Sequence, residues 1–93
     1  MGQMRFLTPY TVPPKVAAAL KAAGKEMTPG DTTLTWAPGN EAETALAEDA
    51  FEAAKDAGFC AFLLKGDRGR GKQISAFDKH AGKMLLIPPI AGG

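Results

Sequence analysis

Cysteine is nearly missing: Cys60 is the only one in 93 residues, so no internal disulfide can form. Small extracellular domains ordinarily carry several bridges, and a reducing, cytoplasmic setting is therefore expected. Histidine is as scarce. His80 has no second histidine or cysteine at metal-ligand spacing and no serine motif to serve, so both a metal centre and a hydrolytic triad lack their parts. Charge of one sign is not in excess either. Eleven basic and ten acidic side chains leave a net charge of +1, whereas a nucleic-acid footprint needs a strong, clustered basic surplus. No stretch approaches the roughly 18 to 20 apolar residues of a membrane span, and the first residues lack a signal-peptide apolar region. Nucleic acid, membrane, metal and cofactor all drop out of the expected partners.

What is present is an ordinary globular balance, 45% apolar and 23% charged, in a length that allows one hydrophobic core. Met1-Gly2-Gln3 can be read as an added leader before a start at Met4. Residues 4–8 suit a short strand, which Pro9, Pro13 and Pro14 end. Ala, Leu and Lys then predict a helix over 15–23, with Pro14 in its first turn and Gly24 past its end. With little bulk beyond Val16 and Leu20, that helix is expected to lean on the domain or on a partner. Residues 32–36 alternate with period two, placing Thr32, Leu34 and Trp36 on one face. Asn40 with Glu43 approximates a capping box for a helix reaching Ala57, and Gly58 stands at the left-handed C-cap position. The unbroken apolar run 59–64 predicts a strand covered on both faces or central in its sheet, with Cys60 as a packed core thiol. A basic glycine-rich turn covers 66–71, and a last strand covers 84–87 before Pro88-Pro89. The expected fold class is α+β, a small sheet packed on a central helix with an extra N-terminal helix. Its expected divisions are an arm with a short helix over 1–30, the α+β domain over 31–89 and a flexible tail over 90–93.

Chemistry-bearing patterns are few. Gly66 to Lys72 keeps phosphate-loop spacing, but Gln73 replaces the hydroxyl that would hold magnesium, and the next residues favour a strand over the helix that cradles phosphate. An exposed turn is the expectation, and no enzyme active site is found. Arg68, Arg70 and Lys72 gather with Lys79 and Lys83 in the C-terminal half. Glu41, Glu43, Glu48, Asp49, Glu52 and Asp56 gather on the central helix. Such separation suits docking to an oppositely charged partner, or two solvated faces that keep the domain soluble.

The final Gly92-Gly93 answers to no packing demand. In a chain with 11 glycines among 93 residues, a chance terminal pair arises about once in 70 sequences. Context adds to it: Pro88-Pro89 favours an extended exit from the last strand, and two residues without Cβ can thread a narrow channel. The run Leu86-Ile87-Pro88-Pro89-Ile90-Ala91-Gly92-Gly93 resembles the C-terminus of ubiquitin-like β-grasp sulfur carriers, above all the molybdopterin synthase small-subunit type. That resemblance implies a carrier or modifier protein whose Gly93 carboxylate is activated by an E1-like adenylating enzyme, with Gly92 giving access. It also implies an apolar docking patch on the sheet, expected near Phe62, Leu64 and Leu86. A β-grasp normally begins with a hairpin leading into the main helix, and here an extra helix interrupts it. A looser resemblance, through Phe77-Asp78 and the tail, is to short bacterial and phage reading frames. It implies the alternative, a small structural or interaction subunit of a larger assembly, such as a virion, without covalent chemistry.

Overall fold

The computed structural model describes residues 1–8, 13–25, 30–64 and 71–88. Along the chain lie strand β1 (Gly2–Thr8), helix α1 (Pro14–Ala22), strand β2 (Gly30–Trp36), helix α2 (Glu41–Asp56), and strands β3 (Cys60–Leu64), β4 (Lys72–Ile74) and β5 (Lys83–Ile87). It is a small α+β domain with two helices and one mixed five-stranded sheet, ordered β2-β1-β5-β3-β4. β1 pairs antiparallel with β2 and parallel with β5, and β3 pairs antiparallel with both β5 and β4. β2 and β3, joined through α2, therefore run in the same direction with β1 and β5 between them.

Each helix ends by the same device. Past α2, Gly58 adopts φ 93°, and the N–H groups of Gly58 and Phe59 donate to the carbonyls of Lys55 and Ala54 at 3.0 and 2.9 Å. Past α1, Gly24 at φ 82° does likewise, with Gly24 and Lys25 donating to Lys21 and Leu20, both at 2.9 Å. These are Schellman motifs, which satisfy end carbonyls only where a residue tolerates positive φ. At the start of α2 the Asn40 side chain accepts from the Glu43 N–H at 3.1 Å. The reciprocal half of the expected capping box is absent: Glu43 Oε1 accepts from the Ala37 N–H at 2.9 Å, tying α2 to the end of β2.

Even-numbered residues of β1, β2 and β5 face one core. Met4, Phe6, Leu34, Trp36, Met84 and Leu86 are buried there with Ala61 of β3, Val16 and Leu20 of α1, and Ala47, Ala50, Phe51 and Ala54 of α2. The expected face of residues 32–36 is observed, and it carries one anomaly: the Thr32 hydroxyl is buried without a hydrogen-bond partner. Phe77 joins the core from the β4–β5 connection, its ring 5.1 Å from Trp36 and 5.8 Å from Phe51. Trp36 Nε1 donates to the Lys79 carbonyl at 3.0 Å, fastening that connection.

Four expectations need correction. The segment 1–30 is no separate arm, because β1 lies between β2 and β5 and α1 buries Val16 and Leu20 in the shared core. The first strand begins at Gly2, not Met4, with Gly2 and Gln3 pairing with Trp36 and Thr35; a Cβ on Gly2 would overlap the Trp36 ring. β3 lies inside the sheet between β5 and β4, the second of its two expected arrangements, and it buries Ala61 toward the core while Cys60 is exposed. Cys60 is thus no core thiol: a strand turns successive side chains to opposite faces, and Ala61 takes the inward place. Leu86 is fully buried, so it cannot line a surface patch.

Candidate partner-binding face

The face of the sheet opposite the core is built by the same alternation. β1 turns Gln3, Arg5 and Leu7 to it, β5 turns Lys83, Leu85 and Ile87, and β3 turns Cys60, Phe62 and Leu64. Register lines these up across the strands. Arg5 pairs with Leu85, which pairs with Phe62; Gln3 pairs with Lys83, which pairs with Leu64; and Ile87 pairs with Cys60. Side chains directly opposite on neighbouring strands lie about 5 Å apart, so Leu85 and Phe62 stand side by side, with Leu64 and Ile87 two residues along the same face of their strands. Leu7, Phe62, Leu64, Leu85 and Ile87 are each half-buried, whereas Arg5, Cys60 and Lys83 are exposed.

The margin of this surface is basic. Gln3, Arg5, Leu64, Lys83 and Met84 line a shallow depression of about 170 Å³. The acidic residues anticipated on α2, from Glu41 to Asp56, are all exposed on the helix, which packs on the core face. The open face thus has a basic margin, while the acidic residues of α2 lie on the opposite layer, where Lys15 and Lys21 of α1 and Lys55 of α2 accompany them. Gly71 lies against the patch as well: a Cβ there would come within 2.9 Å of the Phe62 Cβ and 3.2 Å of the Leu63 carbonyl. Its glycine lets the backbone close on the sheet.

Of the residues expected at a partner surface, Phe62 and Leu64 lie on this face, and Lys72 is exposed in the edge strand β4. Arg68, Arg70, Gly92 and Gly93 lie outside the described residues. Lys72 opens a strand and no helix N-terminus, so the phosphate-loop spacing has no helix dipole behind it. Sequence reasoning missed Leu7, Leu85, Ile87 and Arg5, whereas Lys83 was grouped with the basic residues of the C-terminal half. Arg5 between Met4 and Phe6 was a usable signal for which face β1 buries, but the run 84–87 is apolar on both faces and offers none.

His80 is exposed, its N–H donating to Asp78 Oδ1 at 2.9 Å. Among the described residues no group of three His, Cys, Asp or Glu side chains is placed to hold a metal ion, and no helix is long and apolar enough to cross a membrane. Comparison of the chain with protein-family models, with curated proteins and with solved structures finds no match.

Proposed function

We propose that the chain is a ubiquitin-like carrier or modifier of the β-grasp kind, with Gly93 as its reacting terminus, either as the chain end or after trimming. The observation that carries this reading is the position of β5, which lies at the middle of the sheet, between β1 and β3, and leads directly into Pro88. The strand that runs into Pro88 is paired on both sides, and its Leu85 and Ile87 help to form the apolar face. The antiparallel β1 and β2 followed by α2 supply the hairpin-then-helix order with which a β-grasp begins, α1 being inserted between the two strands.

In this reading the open face docks an E1-like adenylating enzyme. The tail carboxylate attacks the α-phosphorus of ATP; an acyl-phosphate bond forms, the bond to pyrophosphate breaks and pyrophosphate leaves. Hydrosulfide displacing AMP then yields a thiocarboxylate. A cysteine thiol displacing AMP yields a thioester instead, from which a lysine amine takes the acyl group as an isopeptide, releasing the thiol. The domain supplies recognition and presentation, not catalysis, and needs no cofactor of its own.

The test is intact-protein mass spectrometry, with denaturing gels, on an N-terminally tagged chain expressed in its native host, beside one lacking Gly92 and Gly93. An oxygen-to-sulfur mass increase or tail-linked adducts, seen only with the diglycine, are expected. An unmodified terminus in both, with unchanged partners, rejects the carrier reading and leaves the structural subunit.

A further inference from the structure

The two edges of the sheet are unequal. β4 closes one side with three residues, whereas β2 bounds the other with seven. Its pairing with β1 runs unbroken from Gly2↔Trp36 to Thr8↔Gly30, so no bulge twists it away. In an antiparallel ladder every second residue directs its N–H and C=O away from the partner strand, and among the described residues no strand receives those of β2. Long edges are normally blunted by proline, lysine, bulges or a covering helix. β2 contains neither proline nor lysine. Nor do the helices close over it: a cavity of about 200 Å³ opens beside Leu34 and Thr35, walled by Ala23 and Lys25 past α1 and by Glu43 and Leu46 of α2.

We propose that β2 is a self-recognition edge, at which two copies of this chain pair their β2 strands antiparallel about a two-fold axis through Thr33. The two sheets of five strands become one continuous sheet, with isologous contacts. Two features select a second copy. Thr33 meets its own equivalent, a favourable cross-strand pair. Thr32 of one copy falls opposite Leu34 of the other, which lines the cavity with Lys25 and Glu43. Thr32 is only 7% exposed and its hydroxyl has no hydrogen-bond partner among the described residues. Opposite residues on paired strands share a face, so all four helices lie on one side of the joined sheet and both open faces stay free on the other.

The test is a charge swap. Wild-type chain should sediment as a monomer at micromolar and as a dimer toward millimolar concentration, with alternate β2 amides gaining hydrogen-exchange protection as the dimer forms. Thr33→Lys and Thr33→Asp should each stay monomeric with unchanged Trp36 emission, and an equimolar mixture of the two should dimerise. A wild type that remains monomeric, with β2 amides whose exchange is independent of concentration, overturns the proposal. So does a dimer that both variants still form, or protection that arises only when an extended peptide of another protein is added. If either variant unfolds, exchange on the wild-type chain decides alone. The tail is not involved, so this outcome and that of the diglycine deletion are independent.

Discussion

Leu85 and Leu86 are adjacent, chemically identical and directed to opposite solvents. Leu86 is fully buried between Phe6 and Ala61, its register partners, whereas Leu85 is half-buried between Arg5 and Phe62 on the open face. Leu86→Ala is expected to cost about 2–5 kcal/mol, the range for a buried leucine that leaves a cavity. Leu85→Ala should cost about 1 kcal/mol or less and weaken partner capture. Denaturant unfolding followed by fluorescence reads the first difference cleanly, because the chain has one tryptophan and Trp36 is fully buried. Equal losses for the two leucines would refute the assignment of faces. The same one-residue step separates Cys60 from Ala61: Cys60 should react with a thiol reagent in the native protein without a preceding unfolding step, since nothing of the core covers it.

At the scale of elements, helix ends carry disproportionate information because their chemistry is local. Gly58→Ala should cost roughly 1 kcal/mol by forcing a Cβ into positive φ, and Asn40→Ala about 1 kcal/mol by removing the side-chain acceptor of the Glu43 N–H. Thermal unfolding of each variant checks both, and a gain in stability from Gly58→Ala would contradict the left-handed cap. For the same reason these caps were legible in the sequence: Asn40, Gly24 and Gly58 act on backbone groups within a few residues of themselves. The face of β2 was legible too, since threonine and apolar residues alternate through it. The face of β3 was not, because 59–64 is apolar throughout and only its neighbours decide which side the helices cover. The last strand posed the same problem. Its Leu86 was placed at the surface because a four-residue apolar run holds no internal sign of its inward face. The sign lay some eighty residues away in Arg5, through a parallel pairing that no local pattern announces.

For the molecule as a whole, the sheet order predicts a gradient of protection. Amides of β1 and β5, each flanked by strands on both sides, should exchange only through global unfolding, while β4 and the free side of β2 should exchange through local opening. Native-state hydrogen exchange across denaturant concentrations measures this, and a most-protected β4 would contradict the order. The basic margin of the open face belongs to this scale as well. Under the proposed function, a partner docking there meets Arg5 and Lys83, so added salt should slow its association more than it speeds its release.

The strand that follows β1, β2, β3 and β4 along the chain is also the keystone. Residues 83–87 complete the pairing of β1 on one side and β3 on the other, so the sheet holds a gap until β5 is in place. Contacts of such long sequence separation close late. Under the proposed function, an enzyme that docks on the face to which Leu85 and Ile87 contribute would meet that face complete only in molecules whose core is closed. Proofreading of this kind would require no separate chaperone signal; it would follow from placing β5 at the centre of the sheet.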